Sequence, residues 1–275
     1  SFKPHLELIM AYAQTLERPN KIKVTNAIIK QLKNAKTGRK HKVLKSMVCL
    51  PSTNALDVTK ALEQGLIDTD TKLIAIYQIK TKLKSLGFTE AKGNLFFILK
   101  DICDITGHDL NRAKKHFGID SIDCWYLDTC SCVTQRFRYF LKNVVRKNSN
   151  DHTLICTNIV GAHDTSSDSA VNKARKKCIE KSFNLLVSTG HIVPSNRNAQ
   201  AVTDCLSKLL DMQCILTVNY KEAPEPHMYG ERGSGGKPML LNMFQSKTIG
   251  STNNNGKDID AIQCLGYPES AKKSF

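Results

Sequence analysis

Apolar residues recur along this chain in two rhythms. Spacings of three and four predict amphipathic helices over 5–17 (HLELIMAYAQTLE) and 23–35 (KVTNAIIKQLKNA), with 18–20 (RPN) as the linker between them. A basic loop covers 36–45. From residue 46 the pattern changes, and short, nearly continuous apolar runs take turns with helical spacings. The run 46–54 (SMVCLPSTN) is broken by Pro51, with Ser52, Thr53 and Asn54 as helix-capping candidates. Further strands are expected over 72–78, 94–101, 122–128, 152–159, 212–221 and 237–246. Helices are expected over 55–67, 80–88, 109–118, 133–148, 167–190 and 198–211, with Gly65 near the end of the first and Gly87 and Gly118 closing the next two. The Pro- and Gly-rich stretch before the last strand is a loop, and the tail after 247 is low in complexity.

Strands that alternate with helices build a parallel sheet covered on both faces. Strands buried on both faces read as unbroken apolar runs, as these do. The last two strands are joined without a helix, which suits an antiparallel pair at one edge. The expected class is α/β: seven strands, mostly parallel with an antiparallel last strand, and helices on both faces. An N-terminal helical basic extension (1–43) precedes the α/β domain (44–247), and a C-terminal tail (248–275) follows it.

Composition alters this picture in two ways. Forty Lys and Arg against 25 Asp and Glu leave a formal charge of +15 across 275 residues. A charge of that size favours polyanionic partners, nucleic acid first, although a Lys-rich solvated surface is the plainer alternative. Local clusters fall at 33–45, 142–147 and 173–177. The ten cysteines could signal a disulfide scaffold, but Cys49, Cys103, Cys156, Cys205, Cys214 and Cys264 are scattered among apolar residues, where a reduced thiol acts as a small hydrophobe. Cys130 and Cys132 form one close-spaced pair without a second, so no structural zinc is expected. No run of about 18 apolar residues appears, and no charged-then-apolar leader opens the chain. The expectation is an intracellular, cytoplasmic and reducing setting, with no membrane span.

The stretch 122–132 (IDCWYLDTCSC) carries the chemistry of most interest. An apolar run ends in Asp128, and strand tips in open parallel sheets are where ligands sit. The alternative is a helix cap, since Asp caps well. Cys130 reads as a nucleophile or, more simply, as a buried inert thiol. His163 beside Asp164 is a possible acid–base pair on a loop. Tyr220, His227, Tyr229 and Arg232, on the Gly-rich stretch 219–239, could stack on bases and pair with phosphates. Arg39, Lys40 and Lys42 in the basic loop are candidates for phosphate contact. Trp125 lies within a strand and is expected in the core. The G-x-x-x-x-G-K-[ST] pattern of a nucleotide phosphate loop is absent.

The order of elements, five β-α units followed by a sixth strand and a seventh returning beside it, resembles the Rossmann-like class I S-adenosylmethionine-dependent methyltransferase fold over about residues 44–247. The stretch CLPSTNALDVTKALEQGLIDTDTKLIAIYQ and the motif WYLDTC resemble methyltransferase-like proteins of phages and mobile elements. The resemblance implies S-adenosylmethionine as cofactor and nucleic acid, DNA or RNA, as acceptor. It implies a virus or mobile element as the source. By the same resemblance Leu50, Pro51, Ser52, Thr53, Tyr77, Asp101 and Asp128 surround the cofactor. Asp101 lies beside the adenine, and Asp128 beside the methionine ammonium or the accepting nitrogen as catalytic group. The chain departs from the family pattern at three places. Its first turn, LPSTN, has no glycine. Tyr77 or Gln78 stands where an acidic residue takes the ribose hydroxyls. DTCS stands where amino-methylating DNA enzymes carry an Asp/Asn-Pro-Pro-Tyr/Phe motif. The second expectation is therefore a catalytically degenerate methyltransferase fold that binds nucleic acid or serves in assembly.

Overall fold

A computed structural model describes residues 19–35, 43–51, 54–76, 80–129, 133–160, 199–221 and 238–247. Its centre is a seven-stranded sheet in the order β3-β2-β1-β4-β5-β7-β6. The strands are β1 (Ser46–Cys49), β2 (Lys72–Ile76), β3 (Leu95–Ile98), β4 (Cys124–Asp128), β5 (Leu154–Val160), β6 (Gln213–Lys221) and β7 (Pro238–Gln245). β1 to β5 pair in parallel, and β7 runs antiparallel between β5 and β6. The expected class is therefore the observed one, and the antiparallel pair lies at the edge where the helix-free connection placed it. β6, not β7, is the outermost strand.

Side chains alternate across each strand, so the sheet presents two apolar faces. On one face Val48, Ile74, Trp125, Leu127 and Ile155 pack with α4 (Gly107–Phe117), α5 (Gln135–Phe140) and α6 (Ala199–Leu210). On the other, Met47, Cys49, Ala75, Cys124 and Tyr126 pack with α1 (Pro19–Asn34), α2 (Leu56–Glu63) and α3 (Lys80–Ser85). Trp125 is fully buried, as its place within a strand predicts. Cys49, Cys124, Cys156 and Cys205 are buried free thiols.

Several boundaries differ from the sequence reading, each for a local reason. α1 begins at Pro19, inside the segment read as a linker. Proline is at home in a first helical turn, where its missing N–H has no partner to lose. α2 is not capped by Asn54, and Ser52 and Thr53 lie outside the described residues. Its N-cap is Ala55, in left-handed backbone (φ 43°) with no side-chain cap bond. α4 starts earlier than expected because Thr106 and Asp109 form a reciprocal capping box. The helix expected over 133–148 runs as α5, then a π-helical turn at Leu141–Val145, then a 3-10 turn at Arg146–Asn148. The expected helices at 5–17 and 167–190 lie outside the described residues.

Candidate functional site

The chain passes from β1 outward through β2 and β3, then crosses back to lay β4 on the other side of β1. The direction of winding reverses there, the point at which open α/β sheets ordinarily take a ligand beyond the carboxyl ends of their strands. Asp128 is the last residue of β4 and stands at that end of the strand. At the opposite edge the strands are tied by the protein itself: Asp123 accepts from the backbone N–H groups of Lys45 and Ser46.

Asp128 is not a helix cap. The helix that follows, α5, is capped by Thr134, whose hydroxyl accepts from Phe137 N at 3.1 Å. The Asp128 carboxylate instead engages Lys21 and Asn158 among its partners. One oxygen lies 2.8 Å from the Lys21 ammonium of α1, and the other accepts from Asn158 Nδ2 of β5 at 2.9 Å. The pair is largely enclosed, with side-chain exposures of 22% for Lys21 and 12% for Asp128. Thr129 donates from N and Oγ1 to the Asn158 carbonyl, which locks the two strand tips together.

A second carboxyl, Asp57 in the first turn of α2, is buried and feels the charges of this pair. Its Oδ2 finds no hydrogen-bond partner. Burial, and then the charge of Asp128, push Asp57 up to about 7 from its ordinary value, while Lys21 pulls the other way. Burial also raises the Tyr126 phenol and the Cys49 and Cys156 thiols well above their usual range, so these groups stay neutral at physiological pH. Tyr126 is held by a side-chain hydrogen bond with Thr25 of α1. Lys21 and Thr25 are one helical turn apart, as Ile28, Ile29 and Leu32 continue the stripe. The apolar stripe of α1 thus ends in two polar residues set over Asp128 and Tyr126 of one strand face.

Other sequence-predicted residues fall variously. Leu50 is half-buried and packs on the core, and Pro51 is buried. Asp101 is exposed just past β3, where one carboxylate oxygen accepts from Cys103 N at 2.8 Å and caps a 3-10 turn, Ile102–Asp104. Tyr220 belongs to β6 and pairs with Met239 across the ladder, so it is not a loop residue. Ser52, Thr53, Tyr77, Cys130, His163, Asp164, His227, Tyr229 and Arg232 lie outside the described residues, as do Arg39, Lys40 and Lys42. In the basic cluster 142–147, Arg146 is engaged with Asp211, which also pairs with Lys247.

Sequence reasoning missed Lys21 and Asp57, whereas Asn158 falls in the stretch 157–160 that it places at the strand tips beside Asp128. Asp57 left a trace: it lies four residues before Ala61 on the buried side of an amphipathic helix, where an acid is out of place. Lys21 left none, since a lysine on a helix is ordinarily solvated.

No family profile and no curated protein matches this chain. Among solved structures it is similar to TYW2 of P. horikoshii in complex with MeSAdo, at 12% identity and a TM-score of 0.43, covering 86% of this chain and 66% of that one. It is also similar to precorrin-6y C5,15-methyltransferase of Geobacter metallireducens, at 10% identity and a TM-score of 0.36, covering 80% and 87%. A third is CalO1, a methyltransferase in calicheamicin biosynthesis, at 10% identity and a TM-score of 0.39; this chain covers 54% of its length. With every one of these scores below 0.5, the sheet order itself is the ground for the fold.

Proposed function

We propose that this chain is a class I methyltransferase-like protein that seats S-adenosylmethionine on the carboxyl edge of its sheet and methylates nucleic acid. The observation that carries the reading is Asp128, a largely enclosed carboxylate at the tip of β4, beside β1 at the reversal of strand order.

The donor set fits such a ligand. The partnerless Oδ2 of Asp57 lacks a donor, and Asp101 past β3 can accept from an adenine amino group. The cofactor supplies an electrophilic methyl group on a sulfonium. The carboxylate of Asp128 orients an accepting amino group and takes the proton that nitrogen sheds. The formal charge of +15 supports a polyanionic acceptor, whose phosphates the Lys and Arg surplus would draw in.

A second reading, a degenerate fold that binds nucleic acid without transferring methyl, is favoured by a separate observation. Lys21 already engages Asp128, and Ala55 occupies left-handed backbone where glycine is the ordinary choice. Calorimetric titration with S-adenosylmethionine separates the two. Saturable binding that is lost in Asp101→Ala and Asp128→Ala supports the transferase. No heat up to about 1 mM ligand, with salt-sensitive DNA or RNA binding intact, supports the degenerate fold.

A further inference from the structure

We propose that the outer side of α5, with the π-helical and 3-10 turns that continue it, is a track for single-stranded nucleic acid. The Tyr139 ring is the platform on which a base stacks, and Lys142, Arg146 and Lys147 are the phosphate contacts. The proposal rests on the reading above only for the use made of the strand, and binding to the track is testable without methyl transfer.

The local sequence builds the track. Over 135–148 (QRFRYFLKNVVRKN) the side chains of Phe137, Phe140, Leu141, Val144 and Val145 are buried in the core against Trp125 and its neighbours. Arg136, Tyr139, Lys142, Arg146 and Lys147 are left on the outside, all exposed. Tyr139 is 66% exposed, and the one other large apolar side chain so placed among the described residues is Leu99, past the end of β3. A ring standing alone among cations is not the contiguous apolar patch that marks a protein interface. It is what a single strand requires: a positive track for the backbone and an aromatic face for an unstacked base.

The charges suit phosphates. Arg136 pairs with Asp104, while Arg146 and Lys247 share Asp211. These pairs are exposed and weak, so a phosphate competes for their cations. Among the described residues no carboxylate pairs with Lys142 or Lys147. Along the track Arg136, Lys142, Arg146, Lys147 and Lys247 therefore outnumber Asp104 and Asp211. The track also has a direction. Arg136 meets Asp104 of the 3-10 turn that follows β3, at the carboxyl edge of the sheet. At the far end the Asn148 carbonyl accepts from Ile122 N, ahead of β4 and at the opposite edge. A strand lying on α5 is thus led toward the edge that carries Asp128.

Fluorescence anisotropy with a labelled oligothymidylate of about 15 nucleotides tests the track. Tyr139→Ala should weaken binding about tenfold without changing its salt dependence, because stacking releases no counterions, and Tyr139→Phe should keep the affinity. Lys142→Gln/Lys147→Gln should weaken binding about tenfold and lower the slope of log affinity against log salt by about 1.4. The control is Arg112→Gln/Lys115→Gln, which removes as much charge from the exposed side of α4 and should cost less than about twofold at physiological salt.

An unaffected Tyr139→Ala variant, or an equal loss in the α4 control, overturns the track, since the charge then acts only as a diffuse field. Equal affinity for a duplex of the same length overturns it too. So does binding to phosphatidylserine vesicles that falls in Tyr139→Ala while oligothymidylate binding does not, which gives the face to a membrane. The transferase reading fails separately: track variants that behave as expected in a chain that binds no S-adenosylmethionine leave the track standing. Saturable S-adenosylmethionine binding with a silent Tyr139→Ala sinks the track and spares the transferase.

Discussion

Lys21, in the first turn of α1, and Asp128, the last residue of β4, form an ion pair of 2.8 Å that joins the N-terminal helix to the carboxyl edge of the sheet. Helix and strand are remote in sequence, and the contact makes α1 part of the site. Removing one partner of an enclosed pair leaves the other charge without compensation. Asp128→Ala should therefore cost about 2 kcal/mol in urea unfolding, while the double variant Lys21→Met/Asp128→Leu should recover most of it. Independent, additive losses would show that the pair does not act as a unit.

Asp57 makes stability depend on pH in an unusual direction. Folding raises its carboxyl from the ordinary 3.8 to about 7, so between those values the folded chain holds the proton that the unfolded chain releases. The contribution is fully present below 3.8 and declines as pH rises to about 7. An upper bound is roughly 4 kcal/mol, at about 1.4 kcal/mol for each pH unit spanned. Asp57→Asn should flatten the stability profile between pH 4 and 7, read from denaturant midpoints. An unchanged slope would place the titration elsewhere.

Asp109 acts with the opposite sign. Burial alone would raise it, but hydrogen bonds from Lys100 Nζ at 2.7 and 2.9 Å and from Thr106 outweigh burial and hold it down at about 2. Its contribution is present above 3.8 and is lost as pH falls through about 2. Asp109→Asn should spare the fold at pH 2 and destabilise it at pH 6. Thr106→Ala, which removes the other half of the capping box, should cost about 1 kcal/mol near neutrality.

Asn242 of β7 is buried and accepts from Thr203 Oγ1 at 2.8 Å and Thr217 Oγ1 at 3.1 Å, tying α6 and the outermost strand β6 to β7. Asn242→Ala removes the acceptor shared by two hydroxyls and opens a cavity. A loss of about 3 kcal/mol is expected in chemical unfolding. Adding Thr203→Val to that variant should cost less than Thr203→Val does alone, because the Thr203–Asn242 bond is already gone.

The amino-acid order determined the α/β class, the seven strands and the helix-free last connection. Buried parallel strands must be unbroken apolar runs, and such runs are visible in one dimension. It also pointed to Asp128, because an acid that ends such a run is conspicuous wherever the strand lies. Boundaries were less legible: a proline read as a linker at residue 19 proved to be a helix start, and the helix after residue 133 changes pitch at Leu141. Which charges meet was decided by folding alone. Lys21 is an ordinary surface lysine until α1 lies across the tip of β4, and Asp57, though out of place on the apolar side of its helix, meets no charge until the sheet removes it from water. Electrostatic energies depend on distance and on the surrounding medium, and both arise only when remote segments pack together.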